Sequence, residues 1–93
     1  MNKEIVDYLL NMGIKASYKG FKYLHDALVI VMSTDQHVPM FKGIYEPLAK
    51  KYNDNKYNVE RAIRFVLQKS LGASRISISE FLAITKLEIK GEK

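Results

Sequence analysis

The 93-residue chain has no cysteine and no tryptophan, and only two prolines and five glycines. Without cysteine, neither a disulfide nor a thiolate metal site can form, which agrees with a reducing, cytoplasmic setting. The longest apolar run, Ala27–Met32, is far short of a bilayer span, and the start Met1-Asn2-Lys3-Glu4 lacks the basic-then-apolar layout of a signal peptide. A soluble cytoplasmic protein with no membrane partner is expected. Histidine is scarce: His25 and His37 stand at no metal-ligand spacing with a carboxylate cluster, so packing or surface roles suffice and no metal site is expected. There is no Gly-rich phosphate loop and no nucleophile elbow, and Gly13 and Gly20 read as helix punctuation. No catalytic constellation emerges, so neither an enzyme nor a cofactor is expected.

What is present is an ordinary hydrophobic content, 47%, on a chain long enough for one modest core. One domain over 1–93 is expected, with no repeat or internal linker. Charge is unevenly placed. Residues 1–41 balance Lys3, Lys15, Lys19 and Lys22 against Glu4, Asp7, Asp26 and Asp35, and residues 76–93 balance Lys86, Lys90 and Lys93 against Glu80, Glu88 and Glu92. The net +5 therefore belongs to 42–75, where Lys42, Lys50, Lys51, Lys56, Arg61, Arg64, Lys69 and Arg75 meet only Glu46, Asp54 and Glu60. A basic segment between neutral ones is the footprint of a polyanion binder, although a solvated basic face would look the same.

Apolar periodicity predicts an all-α fold, a compact helical domain of about five helices. Ile5, Val6, Leu9 and Leu10 mark a first helix over about 3–12, with Gly13 at its C′ position. Phe21, Leu24, Ala27, Leu28 and Val31 mark a second after Gly20, although Val29–Val31 would also suit a buried strand. After a polar link over Ser33–Val38, a third series runs from Met40 to Tyr52, and Pro47 should kink or restart it. Asn53–Asn58 is rich in turn formers; Asn58 suits the N-cap of a helix over Val59–Leu71, closed by Gly72. A last helix is expected over Ser79–Ile89, with a short β-hairpin wing, suggested by the alternation over Arg75–Ser79, as the competing reading.

The segment from about Pro47 to Leu71 carries the function. Two helices cross closely only where a side chain is small, which Ala49 provides; Asn53, four positions on, tolerates the left-handed backbone of a tight turn; Val59, ten positions on, anchors the next helix in the core. These intervals are the spacing skeleton of a helix-turn-helix. In its second helix Val59, Ala62, Ile63, Val66 and Leu67 form an apolar stripe, opposite Glu60, Arg61, Arg64 and Gln68. Glu60, Arg61 and Arg64 are the candidate base-reading residues, since arginine pairs with guanine in bidentate fashion and glutamate accepts from cytosine. Lys50, Lys51, Asn55, Lys56, Tyr57, Asn58 and Gln68 are the candidates for the DNA backbone. Tyr18, Lys19 and Lys22, ahead of the second helix, fit a backbone contact and a solvated loop equally well. Tyr8, Tyr23, Tyr45 and Tyr52 lie on or beside apolar stripes and read as core rather than as stacking platforms.

Three stretches, Gly13-Ile-Lys-Ala-Ser-Tyr-Lys-Gly-Phe-Lys-Tyr-Leu-His-Asp-Ala27, Ala49-Lys-Lys-Tyr-Asn53 and Val59-Glu-Arg-Ala-Ile-Arg64, resemble the C-terminal effector domain of the stage-zero sporulation master response regulator family. The likeness runs over about 5–71 and resumes at Ser79-Glu-Phe-Leu-Ala83. It implies an all-helical fold whose second motif helix reads a short DNA box in the major groove, through positions matching Glu60, Arg61 and Arg64. Two departures limit what it implies. The chain starts at the effector's first helix, without the family's receiver domain, so phosphorylation-controlled dimerisation is not carried over. The connection from Leu71 to Ser79 is shorter than the family's, in the part associated with RNA polymerase, so polymerase contact is not implied and repression or competition is expected rather than activation. Pro47 also sits one position later than the family's proline.

The expected function is therefore sequence-specific binding of double-stranded DNA in transcription regulation, as a homodimer or by two copies side by side. The alternatives are a protein-interaction module on the same fold, to which the outward Phe65 lends weight, and DNA binding in plasmid or phage maintenance.

Overall fold

A computed structural model describes residues 1–72 and 77–91. Its five α-helices are α1 (Lys3–Asn11), α2 (Lys19–Met32), α3 (Glu46–Lys51), α4 (Lys56–Leu71) and α5 (Ile78–Lys90), and a π-helical turn over Phe41–Tyr45 runs directly into α3. No strand occurs among the described residues, so Val29–Val31 is helical as preferred. Of the segment read as a possible wing, Arg75 and Ile76 lie outside the described residues. None of the described helices is long and apolar enough to cross a membrane.

Local chemistry accounts for the helix ends. The Asn2 side chain accepts the Ile5 amide at 3.1 Å and caps α1. At its other end Gly13, at φ +86°, lets its own amide reach the Leu10 carbonyl and that of Ile14 reach Leu9, both at 3.0 Å. This is a Schellman closure, and it buries Ile14 against Leu9. Ser77 caps α5 by accepting the Glu80 amide at 3.1 Å, and Gly91 ends it in the left-handed region. Pro47 falls in the first turn of α3, where its missing amide costs nothing. Just ahead of it the backbone widens so that the Glu46 amide bonds five residues back, to Phe41. The expected restart takes that form.

Two expectations need correction. α4 begins at Lys56, not Val59, and its N-cap is Asn55, whose side chain accepts the Tyr57 amide at 2.7 Å; Asn58 sits inside the first turn. The turn before α4 closes within two residues, so the first asparagine available takes the cap. Gly20 is not punctuation either. It lies in the first turn of α2, where that helix crosses α4, and a Cβ there would stand 2.1 Å from the Ala62 carbonyl oxygen and 2.9 Å from Val66 Cγ1. α2 is the central helix, packing against each of the other four. Its Tyr23, Leu24, Ala27 and Leu28 are fully buried, together with Leu9, Ile44, Val59, Ile63 and Val66. Each large aliphatic side chain so buried contributes about 1.5–3 kcal/mol before entropy is subtracted.

The crossing gives a test whose sign is opposite to ordinary helix propensity. Alanine normally improves on glycine in a helix by about 0.5–1 kcal/mol, but a backbone clash of this depth costs more, in the range of about 1–3 kcal/mol or above. Gly20→Ala should lower the unfolding free energy by about 2 kcal/mol in urea titrations. An unchanged or raised midpoint would contradict the crossing.

Candidate nucleic-acid interface

The link between α3 and α4 is a second Schellman closure, built on asparagine instead of glycine. Asn53 takes φ +52°, the only positive φ outside glycine among the described residues. The Asp54 amide reaches back to the Ala49 carbonyl at 2.7 Å, and the Asn53 amide to Lys50 at 3.4 Å. The small Ala49 lies buried at the bend. The three positions that the motif spacing singles out thus do what their chemistry suggests, with Val59 fully buried one turn into α4.

Two aspartates fasten this turn to α2. The Asp54 carboxylate accepts from the Tyr23 hydroxyl, from Lys19 Nζ at 2.9 Å, from the Asn55 amide at 2.7 Å and from Asn58 Nδ2 at 3.2 Å. Asp26, on α2, accepts from the Tyr52 hydroxyl, from Lys51 Nζ at 2.9 Å and from His25 Nδ1 at 2.7 Å. His25 Nε2 in turn accepts the Asn2 amide at 2.9 Å, which leaves the ring proton on Nδ1 and extends the network to the start of α1. The rings of Tyr23 and Tyr52 meet edge to face at 5.4 Å between the two carboxylates. Sequence reading missed both aspartates as structural residues. A short acidic side chain beside tyrosines is common on any surface, and only the tertiary pairing gives it meaning.

α4 shows two faces. Val59, Ile63, Val66 and Leu67 are buried, whereas Tyr57, Arg61, Arg64 and Gln68, spaced by four, three and four residues, form one exposed stripe. Glu60 lies on one flank, its side chain 25% exposed and ion-paired with Arg64, which is 52% exposed. Burial, with the Glu60 charge adding and Arg64 opposing, pushes the nearby Tyr45 hydroxyl up to about 12. Glu60 and Arg64 also border a shallow cleft with Phe41, Tyr45 and Ile78. Phe65 occupies the other flank, edge-on to Tyr18 at 5.4 Å, with Lys69 over its ring.

The remaining candidates surround the start of α4. Lys50 is exposed on α3, and Tyr57 is exposed with its ring tilted on Phe41. Lys51 is engaged with Asp26, and Lys56 pairs with Glu46 at 3.1 Å, so neither is an unattached cation. Asn55 is committed to the cap and Asn58 donates to Asp54. The structure therefore gathers Tyr57, Glu60, Arg61, Arg64 and Gln68 on α4 and sets Lys50, Lys51 and Lys56 around the turn at its N-terminus.

A short helix, a left-handed turn and a longer amphipathic helix, braced by a third helix across both, define a helix-turn-helix domain of the all-helical class. The chain belongs to the family described as Sporulation initiation factor Spo0A C terminal, whose sequence profile matches residues 5–93. That family consists of DNA-binding effector domains of the response-regulator type, which supports a DNA-binding regulator of transcription.

The clamps make stability depend on pH in a definite direction. At Asp26 burial pushes the carboxyl up, but hydrogen bonds from Tyr52, Lys51 and His25 outweigh it and hold the group below its ordinary value of 3.8. Asp54 is held further down, chiefly by Tyr23 and then by Lys19 and the Asn55 amide. A carboxyl with a depressed folded-state pKa stabilises the fold above its unfolded value, and that stabilisation is lost as pH falls through the folded value. Unfolding free energy should therefore fall as acid is added below about pH 4. Asp54→Ala should cost about 2 kcal/mol at neutral pH and flatten the acid limb. Parallel acid limbs for variant and parent, measured by urea titration at each pH, would show that the clamp contributes nothing.

Proposed function

We propose that the protein is a sequence-specific reader of double-stranded DNA that regulates transcription by inserting α4 into the major groove. The observation that carries this reading is the exposed Tyr57–Arg61–Arg64–Gln68 stripe on a helix whose opposite face is wholly committed to the core. Arg61 and Arg64 read guanine, and Glu60 accepts from cytosine on the same edge of the helix. Lys50, Lys51, Asn55, Lys56, Tyr57, Asn58 and Gln68 hold the flanking phosphates. Lys51 and Lys56 each keep donors for this, because an ammonium has three and the intramolecular carboxylate takes one.

The Glu60–Arg64 pair does not compete with that role. An exposed i,i+4 pair is worth about 0.3–0.5 kcal/mol, whereas a well-placed arginine–guanine contact discriminates by about 1–3 kcal/mol. The pair keeps Arg64 extended along the helix until a base replaces Glu60. The packing of Phe65 against Tyr18 gives that side chain a structural reason, which weakens the case for a protein-binding face. Two copies, as a dimer or side by side on adjacent half-sites, supply the affinity that one short helix lacks.

Binding should weaken steeply with salt, as it does wherever lysines displace counterions. In mobility shifts against a duplex recovered from a random pool, Arg61→Ala and Arg64→Ala should each cost about 1–3 kcal/mol and relax preference at one base pair. If both variants keep the parent's sequence preference, α4 is not the reading helix.

A further inference from the structure

Beside the turn, two lysines of α2, Lys19 and Lys22, and Lys51 at the end of α3 converge on two tyrosine rings. Lys22 Nζ lies 4.5 Å from the Tyr52 ring centroid and 5.6 Å from that of Tyr23; Lys19 Nζ lies 5.6 Å from Tyr23, and Lys51 Nζ 5.2 Å from Tyr52. Lys19 and Lys51 each have a carboxylate, Asp54 and Asp26, and both carboxylates are about nine-tenths covered. Lys22 forms no ion pair among the described residues. The cluster thus carries three cations against two anions, and the surplus charge is held by ring faces at the end of α3 rather than left to swing in solvent. Tyr52 is the C-cap of α3 and immediately precedes Asn53, so this ammonium is fixed at the helix-turn-helix bend. Sequence reading put Lys19 and Lys22 ahead of the second helix, whereas both lie within its first turns.

We infer that Lys22, supported by Lys19, is a further DNA-contacting residue that binds a backbone phosphate of the strand passing the turn when α4 occupies the groove. The inference rests on the DNA-reading function proposed above and adds to it a contact from outside the two motif helices. A ring-held ammonium is a point charge with its donors still unused, which suits one phosphate oxygen and carries no base preference.

The test compares Lys22→Met, Lys22→Ala and Lys22→Arg by mobility shift over a salt series. Each is run on a duplex recovered from a random pool and on a scrambled duplex of the same length, with thermal melts to verify folding. Lys22→Met and Lys22→Ala should weaken both duplexes by a similar factor, about three- to tenfold near 0.1 M salt, and lower the salt slope by about one. Lys22→Arg should retain both. Parent-like affinity and slope for folded Lys22→Met would overturn the inference while leaving the α4 reading intact. A loss confined to the selected duplex would overturn it as well, by making Lys22 a base reader. If the parent itself shifts neither duplex, the DNA-reading function fails and the inference falls with it.

Discussion

Asp54 occupies the point where the chain reverses between α3 and α4, and four donors from three parts of the fold converge on its carboxylate. Its amide closes the end of α3, its side chain takes the hydroxyl and ammonium of α2, and the next residue caps α4. The angle between the two motif helices and their position on α2 thus depend on one short acidic side chain. Asp26 repeats the arrangement one step away, receiving Lys51 and Tyr52 from the end of α3. At about 2 kcal/mol for its loss, either clamp matters against the modest total stability of so small a domain. Core burial supplies most of the folding energy, but it does not by itself fix how α4 is presented.

Presentation also depends on close approach. α2 braces both motif helices because Gly20 allows its backbone against Ala62, and the small Ala49 allows the bend on the other side. With α4 pressed inward along Val59, Ile63 and Val66, the opposite stripe has no packing role and is left to long polar side chains. The same inward packing accounts for Glu60: near Tyr45 and only a quarter exposed, it sits at the rim, whereas Arg61 is exposed.

Much of this is legible in the sequence, because it rests on local chemistry. The intervals from Ala49 to Asn53 and Val59 encode a bend, a left-handed residue and an anchor, and each requirement excludes most side chains. Helix periodicity separates Arg61 and Arg64 from the core for the same reason. Features that depend on tertiary partners are not legible. Asn55 and Asn58 are equivalent caps until the length of the turn is known, and Gly20 resembles a helix boundary until α4 crosses it. Lys51 and Lys56 read as unattached cations, because nothing in their own neighbourhood announces Asp26 or Glu46 as partners. The basic excess over 42–75 is visible in the sequence, but the ion pairs decide which of its lysines stand unengaged.

The most direct test of the account is an amide-resolved NMR titration of the protein with the duplex recovered from a random pool. The account predicts the largest shifts at Tyr57, Arg61, Arg64 and Gln68 and around the Asn53–Asp54 turn, with smaller ones at Lys22 and Lys51. Shifts centred on the exposed Ile84 and Leu87 of α5, with α4 silent, would contradict it.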